Sequence, residues 1–254
     1  MEKHDFLRAS FYQLLIVYLI LVVLSFFKII PYYHYEILAL IAALIGIFTL
    51  KEKEDIKIKR ILLIIPFFII IITRIIPYLK YDLPLGFDAG IYKYLIEHSG
   101  VLSGYAEPSG FYTLTQILLI FLKTDFILKY ILILLEILIG LFVFLNAKKY
   151  FNEKAGFFSL LVYSLSVVQF KAFSFLYYKQ ILALFILLII TYYLEKRFIV
   201  ITGGAYLSGV HTPTFLIFIV SYIVFSLKDF KKHFINIVLI GLLGSGFYLT
   251  NLEL

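Results

Sequence analysis

The chain has 254 residues, 63% of them hydrophobic, and its mean hydropathy is +1.00. This composition excludes an ordinary soluble domain. The net charge of +7 indicates basic loops facing anionic lipid at the inner side of a membrane, not nucleic-acid binding, and the absence of cysteine excludes disulfides, thiolate metal sites and a cysteine nucleophile.

Long apolar runs separated by short charged or Pro/Gly-bearing breaks are typical of a polytopic helical membrane protein. We therefore predict one all-α domain over residues 1–254, a multi-pass protein of the cell membrane with about nine transmembrane helices and a cytoplasmic N-terminus. The predicted spans are 11–28, 35–50, 61–79, 126–146, 156–170, 179–195, 198–210, 213–227 and 234–250.

A tenth apolar run, 111–122, is short for a full crossing and predicts a re-entrant or interfacial helix. With this helix not crossing, fifteen Lys and Arg residues lie on the cytoplasmic face and eight on the outer face. This is the direction that the positive-inside rule requires. The external loop at about 80–110, with short juxtamembrane helices, then shares the outer face with residues 171–179 and with the turn at His211.

Asp88 is the main candidate for chemistry in the external loop. It precedes a predicted helix that ends at Gly100, so it is expected to be a helix N-cap, a general base, or both. In this helix we expect an apolar stripe of Ile91, Leu95 and Tyr92 on the bilayer. A solvent-exposed pair between Lys93 and Glu97 is also expected there, because the two residues are four positions apart.

The order of these features resembles the GT-C superfamily of integral-membrane glycosyltransferases. The resemblance covers roughly residues 61–195. It is carried by GFDAGIY at 86–92, LIEHSG at 95–100, EPSGFY at 107–112, NAKKYFNEKAG at 146–156 and the segment from YSLS at 163–166 to FLYYK at 175–179. This chain has two spans before the one that leads into the acidic loop, where the family usually has one. It lacks the second acidic residue of some members and the long C-terminal part, so it is expected to be truncated or minimal.

The resemblance implies that Asp88 deprotonates an acceptor, which then attacks C1 of a sugar carried on a polyprenyl phosphate in the membrane. Cations or backbone donors must stabilise the departing phosphate. The expected substrate-binding residues are Arg74, Lys80, Tyr92, Tyr178, Lys179 and His211.

Each of these residues also has a structural interpretation. The lysines can extend along the membrane interface, and Arg74, inside an apolar run, can form an ion pair. His211 is expected to contact phosphate or sugar, and as a lone histidine without HxxxH or carboxylate spacing it is a weak signal for a metal ligand. No cofactor is predicted, because the sequence has no nucleotide-binding motif, zinc-ligand spacing or nucleophile elbow.

Glu136 lies in the middle of a predicted span, where a carboxyl group is costly. It is expected to face the bundle interior, to be protonated, or to meet Lys129 or Arg74. A transporter or flippase that uses Glu136 and Arg74 is therefore an alternative function. A non-catalytic subunit with a protein partner is another.

Overall fold

The computed structural model describes residues 60–80, 86, 89–98 and 110–249. The predicted spans 11–28 and 35–50, and Asp88, lie outside the described residues. Every regular element in the described part is helical. The helices are α1 (Arg60–Lys80), α2 (Ala89–Glu97), α3 (Gly110–Leu119), α4 (Thr124–Tyr150), α5 (Glu153–Ser164), α6 (Val167–Ser174), α7 (Tyr178–Tyr192), α8 (Arg197–Val210), α9 (Thr212–Ser226) and α10 (Phe230–Leu249).

Two of these helices are long and apolar enough to cross a membrane. They are Ile61–Leu79, with 19 residues, and Thr124–Tyr150, with 27. A third crossing results if α5 and α6, bent by 48°, form one span. The described chain is thus all-helical, with lengths compatible with a membrane protein, and the nine crossings remain a prediction.

The run predicted as the span 156–170 is two helices rather than one. Ser164 turns its hydroxyl back to the Leu161 carbonyl at 2.8 Å as α5 ends. Ser166 then accepts a hydrogen bond from the Gln169 amide at 3.3 Å, at the start of α6. Serines compete with helical hydrogen bonds in this way, which explains a bend that hydropathy alone does not predict.

The described residues divide into two compact units. The first contains 60–73 and 140–171. In it, a Cβ on Gly140 would lie 2.9 Å from Ile70 Cδ1 and 3.1 Å from Leu160 Cδ1, so glycine permits close packing there. The turn into α5 is fixed by Asn152, whose side chain accepts the Ala155 amide at 2.8 Å, a standard N-cap.

The second unit contains 74–80, 86, 89–98, 110–139 and 172–249 among the described residues. Its centre is α8, which packs on α3, α7, α9 and α10. Small residues make this possible: a Cβ on Gly204 would meet Phe218 at 2.7 Å, and one on Gly244 would meet Ser208 Oγ at 2.6 Å. All the predicted substrate-binding residues belong to this unit.

Candidate functional site

The helix α2 buries one face against α3 and the start of α4 within the second unit. Tyr92, Leu95 and Ile96 are buried, whereas Ile91 is 50% exposed. The expected stripe of Ile91, Leu95 and Tyr92 on the bilayer is therefore wrong. Ile96, one turn after Tyr92, also contacts protein: the Gln116 side chain of α3 donates a hydrogen bond to its carbonyl at 2.6 Å.

The partner of Lys93 is also different from the one predicted. Its ammonium lies 3.0 Å from Asp125 Oδ1, at the start of α4. The hydrogen bond to Asp125, together with the charge of that carboxylate, raises the pKa of Lys93. The expected Lys93–Glu97 pair is thus replaced by a link between two helices, since a long-range carboxylate competes with a local one.

Lys179 lies in the first turn of α7, and aromatic rings surround its ammonium group. Its Nζ is 5.0 Å from the ring centroid of Tyr112, 5.9 Å from that of Tyr92 and 6.0 Å from that of Phe111. These distances are within the range of cation–π attraction. With His211, these residues form what we call the Lys179 cluster.

His211 joins the cluster from the turn between α8 and α9. Its Nδ1 is 2.7 Å from Thr214 Oγ1, and Pro213 occupies the first turn of α9, where a missing amide costs nothing. Burial lowers the pKa of His211, and the nearby charge of Lys179 lowers it further. The ring is therefore protonated less readily than that of an ordinary histidine.

The turn before α7 has an unusual backbone conformation, and this turn sets where α7, and with it Lys179, is placed. Leu176 has a φ of +60°, and the Tyr178 amide donates to the Leu176 carbonyl at 2.7 Å. Gly86, with a φ of +126°, lies against this turn: a Cβ there would be 2.7 Å from the Phe175 carbonyl carbon and from Leu176 Cβ. Gly86, two residues before Asp88 in sequence, therefore lies against the turn that precedes Lys179.

The aromatic side of the cluster is positioned by a close contact between α3 and α8. A Cβ on Gly110 would lie 2.8 Å from the carbonyl carbon and oxygen of Gly209. Tyr206 donates its hydroxyl to the Gly110 carbonyl at 3.0 Å. The helix that starts at Gly110 thus carries Phe111 and Tyr112 towards the residue that follows α8, His211.

Tyr178 is part of the support of the cluster. It is 1% exposed, its ring lies 5.1 Å from that of Phe111, and its hydroxyl donates to the Ile127 carbonyl at 3.2 Å. Tyr178 therefore links α7 to α4. As a buried residue it offers a substrate no accessible surface.

Arg74 and Glu136 form a separate buried pair. The guanidinium donates to Glu136 Oε2 from Nε at 3.2 Å and from Nη2 at 3.0 Å, and the two side chains are 1% and 0% exposed. Of the two partners expected for Glu136, Arg74 is the one found. Lys129 lies instead over the ring of Tyr78, at 5.8 Å.

The structure thus brings together Tyr92, Tyr178, Lys179 and His211, and it places Arg74 with Glu136. Asp88 and the side chain of Lys80 lie outside the described residues. Sequence reasoning placed Phe111 and Tyr112 in a short apolar helix and in the EPSGFY segment but in no binding site, and it did not consider Asp125. A Tyr following Gly-Phe at the start of a short helix is the signal that it could have used.

Within the described residues, no group of three or more His, Asp or Glu side chains could hold a metal ion. No protein-family model, no curated protein and no solved structure matches this chain. Any function must therefore be argued from the residues themselves. Chemically, the Lys179 cluster offers one ammonium group, one imidazole and three aromatic rings at the end of apolar helices.

Proposed function

We propose that this chain is an integral-membrane glycosyltransferase that moves a sugar from a polyprenyl phosphate to an acceptor at the outer face of the cell membrane. The observation that carries the proposal is the Lys179 cluster. Its ammonium group suits a phosphate, its aromatic rings suit the apolar face of a sugar or an isoprenoid chain, and apolar helices adjoin it.

In the reaction, Asp88 takes the proton from the acceptor hydroxyl or amide. The acceptor atom attacks C1 of the sugar, and the bond between C1 and the phosphate oxygen breaks. The electron pair stays on the departing phosphate, where Lys179 stabilises the negative charge. Asp88 precedes Tyr92 by four residues in sequence, and the Tyr92 ring belongs to the cluster.

His211 has a defined role in this proposal. A neutral imidazole that is oriented by Thr214 donates or accepts one hydrogen bond without adding charge. It therefore positions a phosphate or sugar oxygen, while Lys179 supplies the charge. The proposed architecture has nine crossings and a cytoplasmic N-terminus, which puts the cluster outside.

Transfer of a labelled sugar tests the proposal. Membranes containing the chain would be given a labelled polyprenyl-phosphate sugar and an acceptor extract, and the label in acceptor would be counted. We expect Asp88→Asn to abolish transfer without lowering the amount of inserted protein. Asp229→Asn, which makes the same change at an exposed position far along the sequence, is the control and should retain activity. Equal activity in both variants would refute the role of Asp88.

Orientation requires a separate experiment. Because the chain has no cysteine, single cysteines at the exposed positions Gly90 and Lys231 can be labelled with an impermeant maleimide on whole cells. We expect Gly90→Cys to react from outside and Lys231→Cys only after permeabilisation. The reverse pattern would exclude an outward-facing site.

The buried Arg74–Glu136 pair favours a second candidate, a transporter or flippase. Ionisable side chains within apolar helices commonly lie on ion or substrate paths. For a proton-coupled transporter, Glu136→Gln should abolish uptake driven by a proton gradient, and Asp88→Asn should not. A subunit that requires a protein partner would show neither loss when it is tested alone.

A further inference from the structure

The beginning of α4 contains a π turn. After the short segment Thr124–Phe126, residues Ile127–Ile131 have π-helical hydrogen bonding, and regular α-helix resumes at Leu132. A π turn contains one more residue than an α turn, is uncommon, and is often found at functional sites. Each residue of an α-helix turns the chain by about 100°. The extra residue therefore sets the direction in which the side chains of the preceding residues point.

Tyr178 holds the first carbonyl of this π turn. Its hydroxyl donates to the Ile127 carbonyl at 3.2 Å, and its side chain is almost fully buried. The residue after Tyr178 is Lys179, so the same short segment of α7 carries both the hydrogen bond to the π turn and the cation of the cluster. Movement of this segment affects both.

The other side of the π turn is linked to the cluster as well. Asp125 precedes the turn by two residues and accepts the hydrogen bond from Lys93 at 3.0 Å. The residue before Lys93 is Tyr92, whose ring is 5.9 Å from Lys179 Nζ. These contacts, together with neighbouring positions in the chain, form a closed ring. It runs through Lys179, Tyr178, Ile127, Asp125, Lys93 and Tyr92, and back to Lys179.

We propose that the π turn is a two-position switch that the Lys179 cluster controls. In the described position, Tyr178 holds the extra residue in the π turn, and Asp125 faces Lys93. When the hydrogen bond from Tyr178 is released, the turn winds as α-helix and the extra residue passes into the preceding turn, 120–123. Asp125 then rotates away from Lys93 and their ion pair is lost, while the buried residues Tyr92, Leu95 and Ile96 keep α2 in place.

An anion at Lys179 drives the switch. Attraction to the anion moves the ammonium, and with it the start of α7 and the Tyr178 hydroxyl. The inference uses the proposed function only in supposing that a phosphate binds at Lys179. It does not depend on whether a sugar is transferred.

Distances between spin labels test the switch. The chain has no cysteine, so labels can be placed on cysteines at the exposed positions Gly90 of α2 and Phe126 of α4, before the π turn. The control pair is Gly90 with Leu134, which is exposed and lies after the turn. A rotation of about 100° carries a side chain at position 126 by roughly 5–8 Å.

With Tyr178→Phe, which keeps the ring and removes the donor, we expect a second Gly90–Phe126 distance and an unchanged Gly90–Leu134 distance. Deletion of Leu128, which removes the extra residue, should give the second distance alone. If Tyr178→Phe leaves both distances unchanged, or shifts both together, the switch does not exist.

Vesicles with and without polyprenyl phosphate test the control by ligand. The lipid phosphate should increase the population of the second distance in the wild type and have no effect on Lys179→Met. No response in the wild type refutes control by an anion. Sugar transfer is measured separately on the unlabelled chain, so transfer with no switching refutes only this inference, and switching without transfer refutes only the proposed reaction.

Discussion

Two basic residues that were both predicted to bind substrate, Arg74 and Lys179, have opposite surroundings. Arg74 is 1% exposed, and Glu136 takes two of its hydrogen bonds, whereas Lys179 is partly exposed and lies among aromatic rings. A buried ion pair satisfies its own charges and leaves little for a ligand. Lys179 is the cation that we propose meets an anion, so burial and surroundings, not residue type, separate the two residues.

The largest expected effect is at the buried pair. Glu136→Leu leaves the Arg74 guanidinium buried without that carboxylate, which should cost about 3–5 kcal/mol of stability. Thermal unfolding in detergent would measure this loss. The double variant Arg74→Met/Glu136→Leu should recover most of it, since no buried charge remains. A stable single variant would mean that Arg74 is not confined to a structural role.

The next largest effect is expected at the cluster, on binding rather than on folding. Lys179→Met should weaken binding of polyprenyl phosphate roughly 10- to 100-fold, because a charge-assisted hydrogen bond of about 1.5–3 kcal/mol is lost. Titration in nanodiscs would give the affinity, and the melting temperature should change little. An unchanged affinity would mean that Lys179, like Arg74, has only a structural role.

The backbone beneath the cluster can be tested with a pair of glycines. Gly110→Ala should cost about 1–3 kcal/mol, because its Cβ would overlap the Gly209 carbonyl group, which cannot move aside. Gly241→Ala is the matched control: no neighbour lies within 4 Å, and alanine favours helix, so stability should stay the same or rise. Equal loss in both variants would contradict the close contact of α3 with α8.

The smallest expected effect is on the protonation of His211. In Lys179→Met the pKa of His211 should rise, because the neighbouring charge is gone, although burial still lowers it. In the wild type, the folded chain binds fewer protons at this site than the unfolded chain does just below pH 6.5, so stability falls as the pH falls through the folded pKa. Histidine NMR, with His211→Gln to assign the signal, would measure the change.

The sequence predicted the described helices well, since each apolar run from 61 onwards is helical near its expected bounds. Run length and Pro/Gly breaks are local properties, and they decide where helices begin and end. The π turn and the bend at Ser166 were not predictable in this way. The π turn accepts a hydrogen bond from Tyr178, 51 residues away in sequence, and the bend involves the hydroxyl groups of Ser164 and Ser166.

The site was predicted only in part, for a related physical reason. A shared membrane face suggested that Tyr92, Lys179 and His211 lie together, and they do. The partners of individual charges did not follow from spacing. Lys93 pairs with Asp125, 32 residues away, because tertiary packing brings that carboxylate within 3.0 Å.

Gly86 and Gly90 lie four residues apart and should behave as opposites in a saturation library. At Gly86, any Cβ would enter the backbone of Phe175, and its φ of +126° suits glycine alone. At Gly90 nothing lies within 4 Å of an added Cβ. Selection for function should therefore return glycine only at position 86 and nearly every amino acid at position 90. The contrast between the two positions would show, from sequence selection alone, that the chain is held against Phe175 and Leu176 at Gly86 and not at Gly90.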